Sequence, residues 1–230
     1  MSVYNNSTTH LAMWCGPRHI STALMRAWEN RNDTFVVDEP LYAHYLKETK
    51  LKHEMATEII NHYEDNWKKV VDWLTGPVPN GNTIFYQKHM CHHMLPNIQL
   101  KWLSKVTNCF LIREPREMLT SLMKKLPNPT LMDTGLPQQL KIFNYIQEVS
   151  TETPPVIDST DVLKNPRGIL SALCNRLSIK FTELMLEWPP GIRESDGIWA
   201  KHWYPEVETT TGWRPYKAKD TIVPKELEKV

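Results

Sequence analysis

WCGPRHIST, residues 14–22, closes the apolar run HLAMW (10–14) and leads into STALMRAWE (21–29). The first run reads as a strand and the second as a helix, with Gly16 and Pro17 turning the chain between them. A strand that turns directly into a helix presents free backbone N–H groups, reinforced by the helix dipole, and so favours an anion. Ser21 and Thr22 suit the cap and also offer hydroxyls to phosphate oxygens, while Arg18 adds charge and a forked donor. The second glycine and the lysine of GxxxxGK[ST] are missing, so the loop is not built to wrap a Mg²⁺-bound nucleoside triphosphate. It suits a terminal 5′-phosphate group whose transferred part needs no metal.

Working outward, short apolar runs alternate with longer amphipathic ones. Segments 34–37 (TFVV), 83–87 (TIFYQ), 108–112 (NCFLI) and 155–157 read as strands. Helices are predicted over 117–126, 138–149 and 166–177, the last with Pro166 in its first turn. One more is predicted where Ile59, Tyr63, Trp67, Val70, Val71 and Leu74 recur at three- and four-residue steps, ending at the turn-rich loop 76–82 (GPVPNGN). This alternation predicts an α/β fold: three layers, α/β/α, around a central parallel sheet, with ligands beyond the C-terminal strand ends. The 230 residues suit one domain, 1–230, with its core over about 10–180. An irregular segment from 189 onward is expected to wrap over the site.

Bulk properties narrow the function. Apolar residues make up 41%, charged residues 23%, and the formal net charge is +1, which argues against a general nucleic-acid binder but leaves room for one local basic pocket. The polar N-terminus MSVYNNSTTH carries no leader pattern and no run reaches the eighteen apolar residues of a spanning helix, so a cytoplasmic protein without a membrane partner is expected. Cys15, Cys91, Cys109 and Cys174 lack pair spacing and read as reduced, buried thiols. Cys91, His92 and His93 have no second ligand pair, so no metal is expected.

A second segment, 110–121 (FLIREPREMLTS), ends a strand in Arg113, starts a helix at Pro115 and places Ser121 eight residues after the arginine. A guanidinium there neutralises a dianion while a hydroxyl orients it. Together the two segments resemble the sulfotransferase family. Pro17, Arg18, His19, Ile20, Ser21 and Thr22 resemble its 5′-phosphosulfate loop P-K/R-S-G-T-T, with His19-Ile20 in place of Ser-Gly. Arg113 and Ser121 resemble its R-x-P…S pair. The resemblance implies 3′-phosphoadenosine-5′-phosphosulfate (PAPS) as sulfuryl donor, the loop on the 5′ end and Arg113 with Ser121 on the 3′-phosphate. The segment from Val156 through Cys174 is similar to a further family stretch, with Ser159 at its aromatic position. Lys88 resembles the lysine that neutralises the bridging oxygen, alongside Arg18.

For the base, Glu39 stands at the end of the second strand, 21 residues after Arg18, a placement similar to the catalytic glutamate of some family branches. Asp38 beside it reads as a helix cap. Another branch uses a histidine two residues after the lysine; that position is Met90 here, so His89, His92 and His93 are candidates by proximity only. Ala23 replaces the tryptophan that usually follows the loop, leaving Trp199, Trp203 and Trp213, near Arg214, either to cover the adenine or acceptor or to pack the core. The expected acceptor is a small metabolite or natural product, and Asp38, Glu39, Glu194 and Asp196 would tolerate a cationic one. Two other readings are a P-loop kinase of a small metabolite, for which the loop lysine is missing, and a degenerate nucleotide-binding module, for which the anion-binding residues are too complete.

Overall fold

The computed structural model describes residues 8–218 together with Val223, Pro224 and Leu227. Residues 1–7 of the N-terminus read above as leaderless, and the rest of the tail, lie outside the described residues. Five strands form one sheet: β1 (Thr9–Cys15), β2 (Thr34–Asp38), β3 (Ile84–Met90), β4 (Thr107–Ile112) and β5 (Val156–Asp158). Their order is β2-β3-β1-β4-β5 and every neighbouring pair is parallel. The helices between and after them are α1 (Ser21–Glu29), α2 (Tyr42–Thr49), α3 (Ala56–His62), α4 (Trp67–Leu74), α5 (Pro115–Leu122), α6 (Leu131–Thr134), α7 (Leu136–Val149), α8 (Ser159–Lys164), α9 (Pro166–Arg176), α10 (Ala200–Trp203) and α11 (Pro205–Glu208).

Strand alternation divides the core into two layers. On one face Leu11, Met13, Tyr86 and Leu111 pack under Leu24, Met25 and Trp28 of α1 and Leu170 and Leu173 of α9. On the other, Ala12, Trp14, Phe85 and Phe110 meet Val70, Val71 and Leu74 of α4 and Ile142 and Ile146 of α7. The middle strands β1 and β3 are thus covered on both faces: β1 runs apolar from Leu11 to Cys15, whereas β3 is apolar over Ile84–Tyr86 and then buries Gln87, Lys88 and His89. The expected three-layer α/β/α architecture is what the chain forms. No helix among the described residues is long and apolar enough to cross a membrane.

Three boundaries differ from the sequence reading. The periodicity through 59–74 belongs to two helices: the chain turns extended at Tyr63 (φ −109°, ψ 158°), and Asn66 starts α4 afresh by accepting the Lys68 N–H. β3 runs past Gln87 to Met90, and α5 begins at Pro115, where the Glu114 carboxylate caps the Glu117 N–H. The segment after 189 holds two one-turn helices, and a Glu187–Gly212 bridge ties it back to the residues just ahead of it.

Candidate active site

The loop between β1 and α1 is shaped by close approach. A Cβ on Gly16 would meet the Thr134 carbonyl oxygen at 2.7 Å and the His19 ring at 2.9 Å, so only glycine fits. Arg18 (φ 65°) and Ile20 (φ 58°) are left-handed, a strained choice for side-chain-bearing residues that turns successive N–H groups to one side. Among the described residues, no group accepts from the N–H of His19, Ile20, Ser21 or Thr22. His19 points away from them into the fold, fully buried, with Nδ1 3.0 Å from the Leu111 carbonyl oxygen. Burial drives its pKa down to about 4 against the pull of that carbonyl, so the ring is a neutral wedge beneath the loop. Ser159 Oγ lies 3.0 Å from the His19 carbonyl and 2.7 Å from that of Ile112, pinning the loop from below.

The two signature segments meet. Arg113 Nη1 donates to the Arg18 carbonyl at 2.7 Å across 95 residues of chain, and Arg18 Nε donates to Ser121 Oγ at 3.1 Å. Glu117 holds Arg113 from α5, Nη2 donating at 2.9 Å, and Tyr216 donates to the same carboxylate at 2.5 Å. Burial holds Arg18 below its ordinary pKa; Glu206 opposes this, and the neighbouring Arg113 charge reinforces it. Two guanidiniums and a serine hydroxyl gathered beside unbonded amides form a donor set suited to a phosphate-bearing ligand.

At the C-terminal ends of β2 and β3 lies a buried charge cluster. Lys88 Nζ donates to Asp38 Oδ1 at 2.7 Å, Glu39 Oε1 at 2.7 Å and the Tyr204 hydroxyl at 2.6 Å. Glu39 reaches it through a left-handed residue conformation (φ 45°), its N–H bonded to the Lys88 carbonyl. Burial would lower the Lys88 pKa, but Asp38 and then Glu39 outweigh it and the ammonium is firmly charged. Burial raises the Glu39 carboxyl, with Asp38 adding to the rise and Lys88 resisting it. Its Oε2 has no partner among the described residues. Sequence reasoning missed Tyr204, which lies 116 residues beyond Lys88 with no local signal, and read Asp38 as a cap or an entrance acid rather than as a partner of Lys88.

The other candidates fall elsewhere. His89 alternates with Lys88 and so faces the opposite layer, stacked on Trp14 at 4.3 Å with burial holding its pKa near 3. It is therefore packed away from the Lys88 cluster. His93 stacks on Tyr42 at 4.7 Å and is held neutral chiefly by burial; His92, edge-on to Tyr45, is down to about 4, also chiefly from burial. Trp199 is buried edge-on against Tyr42 and donates to the Tyr204 hydroxyl, while Trp203 packs into the same cluster. Trp213 packs against Trp188 and donates to the Met185 carbonyl; Arg214 donates to Glu206 and Thr209. The acidic entrance expected from sequence is largely neutralised: Lys88 pairs with Asp38 and Glu39, and Arg26 with Asp196. Beside Tyr42, whose hydroxyl meets His53 at 2.8 Å, a concavity of about 460 Å³ opens between α2 and α3, lined by Leu46, Leu51, Met55 and Ile60 with Lys50 and Lys52.

Residues 9–224 match the sulfotransferase domain family. The chain belongs to that family. Two Arabidopsis thaliana proteins resemble this sulfotransferase domain in sequence. Branched-chain-amino-acid aminotransferase-like protein 1 is 36% identical over 87% of this chain, and protein 2 of the same name is 32% identical over 91%. The sulfotransferase domain spans only 36% and 37% of their lengths. Among solved structures, the sulfotransferase domain of a Synechococcus olefin synthase superposes with a TM-score of 0.55 at 14% identity, covering 93% of this chain and 87% of that one. The sulfotransferase domain of the curacin biosynthetic pathway gives 0.53 at 14% identity, covering 89% and 84%. A sulfotransferase from Alicyclobacillus acidocaldarius gives 0.54 at 11%, covering 80% and 87%. These likenesses establish a shared fold.

Proposed function

We propose that the chain transfers a sulfuryl group from PAPS to a hydroxyl or amine of a small-molecule acceptor, releasing adenosine 3′,5′-bisphosphate (PAP). The observation that carries this reading is the direct contact of Glu39 and Lys88 at the strand ends: an acid with one open oxygen beside a fixed ammonium. PAPS, when bound, supplies the sulfuryl group. The amides of residues 19–22 with Ser21 and Thr22 hold its 5′ end, and Arg113 with Ser121 holds the 3′-phosphate. Arg18, bonded to Ser121, spans the two and offsets charge as it develops. Glu39 Oε2 takes the acceptor proton, and Lys88 stabilises the departing phosphate oxygen.

In this reading His93, buried and stacked on Tyr42, backs the acceptor side, and Trp213 and Arg214 remain candidates for the nucleotide. The concavity beside Tyr42, part apolar through Leu46, Leu51, Met55 and Ile60 and part basic through Lys50 and Lys52, suits the body of a small metabolite or natural product rather than a cation. In this reading residues 1–230 work as one cytoplasmic unit, without metal, membrane or nucleic acid. Calorimetric titration with PAP, ADP and ATP–Mg²⁺ tests it: PAP should bind in the micromolar range and weaken at least tenfold in Arg113→Ala. A preference for ATP–Mg²⁺ would favour the metabolite kinase.

A further inference from the structure

We propose that Tyr204 and Asp38 are positioning residues that fix two of the three Lys88 N–H groups, leaving the third to pass from Glu39 to the donor's leaving oxygen. The proposal rests on the sulfuryl-transfer reading above. An ammonium has three protons, and Lys88 has three acceptors at 2.6–2.7 Å. Two of those acceptors are saturated. The single Tyr204 hydroxyl proton goes to Asp38 Oδ2 at 2.7 Å, while its lone pairs receive Lys88 and the Trp199 indole at 3.2 Å. Asp38 Oδ1 takes Lys88, and Oδ2 also accepts the Gly197 N–H at 3.2 Å. Moving either anchor would strand several buried polar groups at once.

Glu39 is held differently. Its Oε1 takes Lys88 and lies 3.3 Å from the Tyr204 hydroxyl, a longer contact than that hydroxyl's 2.7 Å bond to Asp38; its Oε2 is open, and its side chain is 12% exposed where those of Asp38 and Lys88 are 1% exposed. When the acceptor O–H or N–H bond breaks, its proton goes to Oε2 and the freed electron pair forms the new bond to sulfur. The S–O bond to phosphate breaks with its pair left on the phosphate oxygen. A neutral Glu39 no longer holds the ammonium by charge, so the third Lys88 N–H is free to turn to that oxygen while the other two stay anchored. Acceptor deprotonation and leaving-group stabilisation are thereby coupled through one lysine.

The groups facing Glu39 are Asp38 on β2, Lys88 on β3, Cys15 on β1, Tyr42 on α2 and Tyr204 after α10. Of these, Asp38 pushes the Glu39 carboxyl up and Lys88 holds it down. Removing the Asp38 charge therefore lowers the pKa at which Glu39 ionises.

The experiment compares the wild-type protein with Tyr204→Phe, Asp38→Asn and Tyr63→Phe. Tyr63 accepts the Ile198 N–H of the same C-terminal segment at 3.1 Å and makes no hydrogen bond to Lys88, so it controls for docking of that segment alone. Lys88 acetylation by acetic anhydride is followed by peptide mass spectrometry on the free protein; kcat, KM and pH profiles are measured with PAPS. Tyr204→Phe should speed Lys88 acetylation several-fold and lower kcat about tenfold to a hundredfold with PAPS KM and PAP affinity little changed. Asp38→Asn should move the acidic limb of kcat/KM to lower pH, and Tyr63→Phe should match wild type in both assays. Wild-type acetylation in Tyr204→Phe, or an equal kcat loss in Tyr63→Phe, overturns the proposal. Should Tyr204→Phe not fold, an unmoved acidic limb in Asp38→Asn does the same. Faster acetylation in Tyr204→Phe from a wild type that transfers no sulfuryl group leaves the two anchors standing and sinks the sulfotransferase reading instead.

Discussion

Glu39→Gln keeps the shape of the side chain and removes its basicity. It should cut kcat by about 10²- to 10⁴-fold while leaving PAP affinity near wild type, as calorimetry and steady-state kinetics will show. Because burial raises the Glu39 carboxyl, the wild-type kcat/KM should fall as pH drops through a limb above the ordinary carboxylate value, and the variant should lose that limb. At this scale the sequence spoke unevenly. Arg18, Arg113 and Ser121 were legible because each sits at a fixed offset from a turn or strand end. Lys88 and His89 were read side by side, yet strand alternation sends neighbouring residues to opposite layers. That rule, applied along 84–90, already separates them. Tyr204 could not be read, since nothing near residue 204 repeats or caps in a way that points to residue 88.

Among elements, the turn from β1 into α1 is the most constrained. Gly16→Ala sets a Cβ against the Thr134 carbonyl, a backbone atom that cannot swing aside. The substitution should cost about 1–3 kcal/mol in denaturant melts and weaken PAP binding, because the crowding pushes on the same loop that presents the amides. Strands and long helices were legible from period and turn chemistry. The break between α3 and α4 was not, because Tyr63 and Trp67 keep the helical spacing through residues that leave the helix. Asn66 was the available clue, an N-cap residue standing one position before Trp67.

The whole molecule stores protons unfavourably. His19, His89 and His93 are buried, His92 is half-buried, and all four are held neutral, with pKa values of about 4 for His19 and His92, about 3 for His89, and well below the ordinary value for His93. Their folded pKa lies below the unfolded one, so their contribution is intact above about pH 6.5 and is lost as pH falls toward 4. Each histidine then forfeits about 1.4 kcal/mol per pH unit. Urea midpoints should therefore fall steeply between pH 6.5 and 4.5, and a flat profile there would contradict the buried, neutral assignment. The same long-range closure that hides Tyr204 from sequence also orders biogenesis. Asp38 emerges from the ribosome first, Lys88 follows 50 residues later, and the hydroxyl that completes the lysine's shell arrives 116 residues after that. A nascent chain stalled at residue 188 would carry both signature segments with the lysine still one acceptor short, so translation completes the shell around Lys88 last.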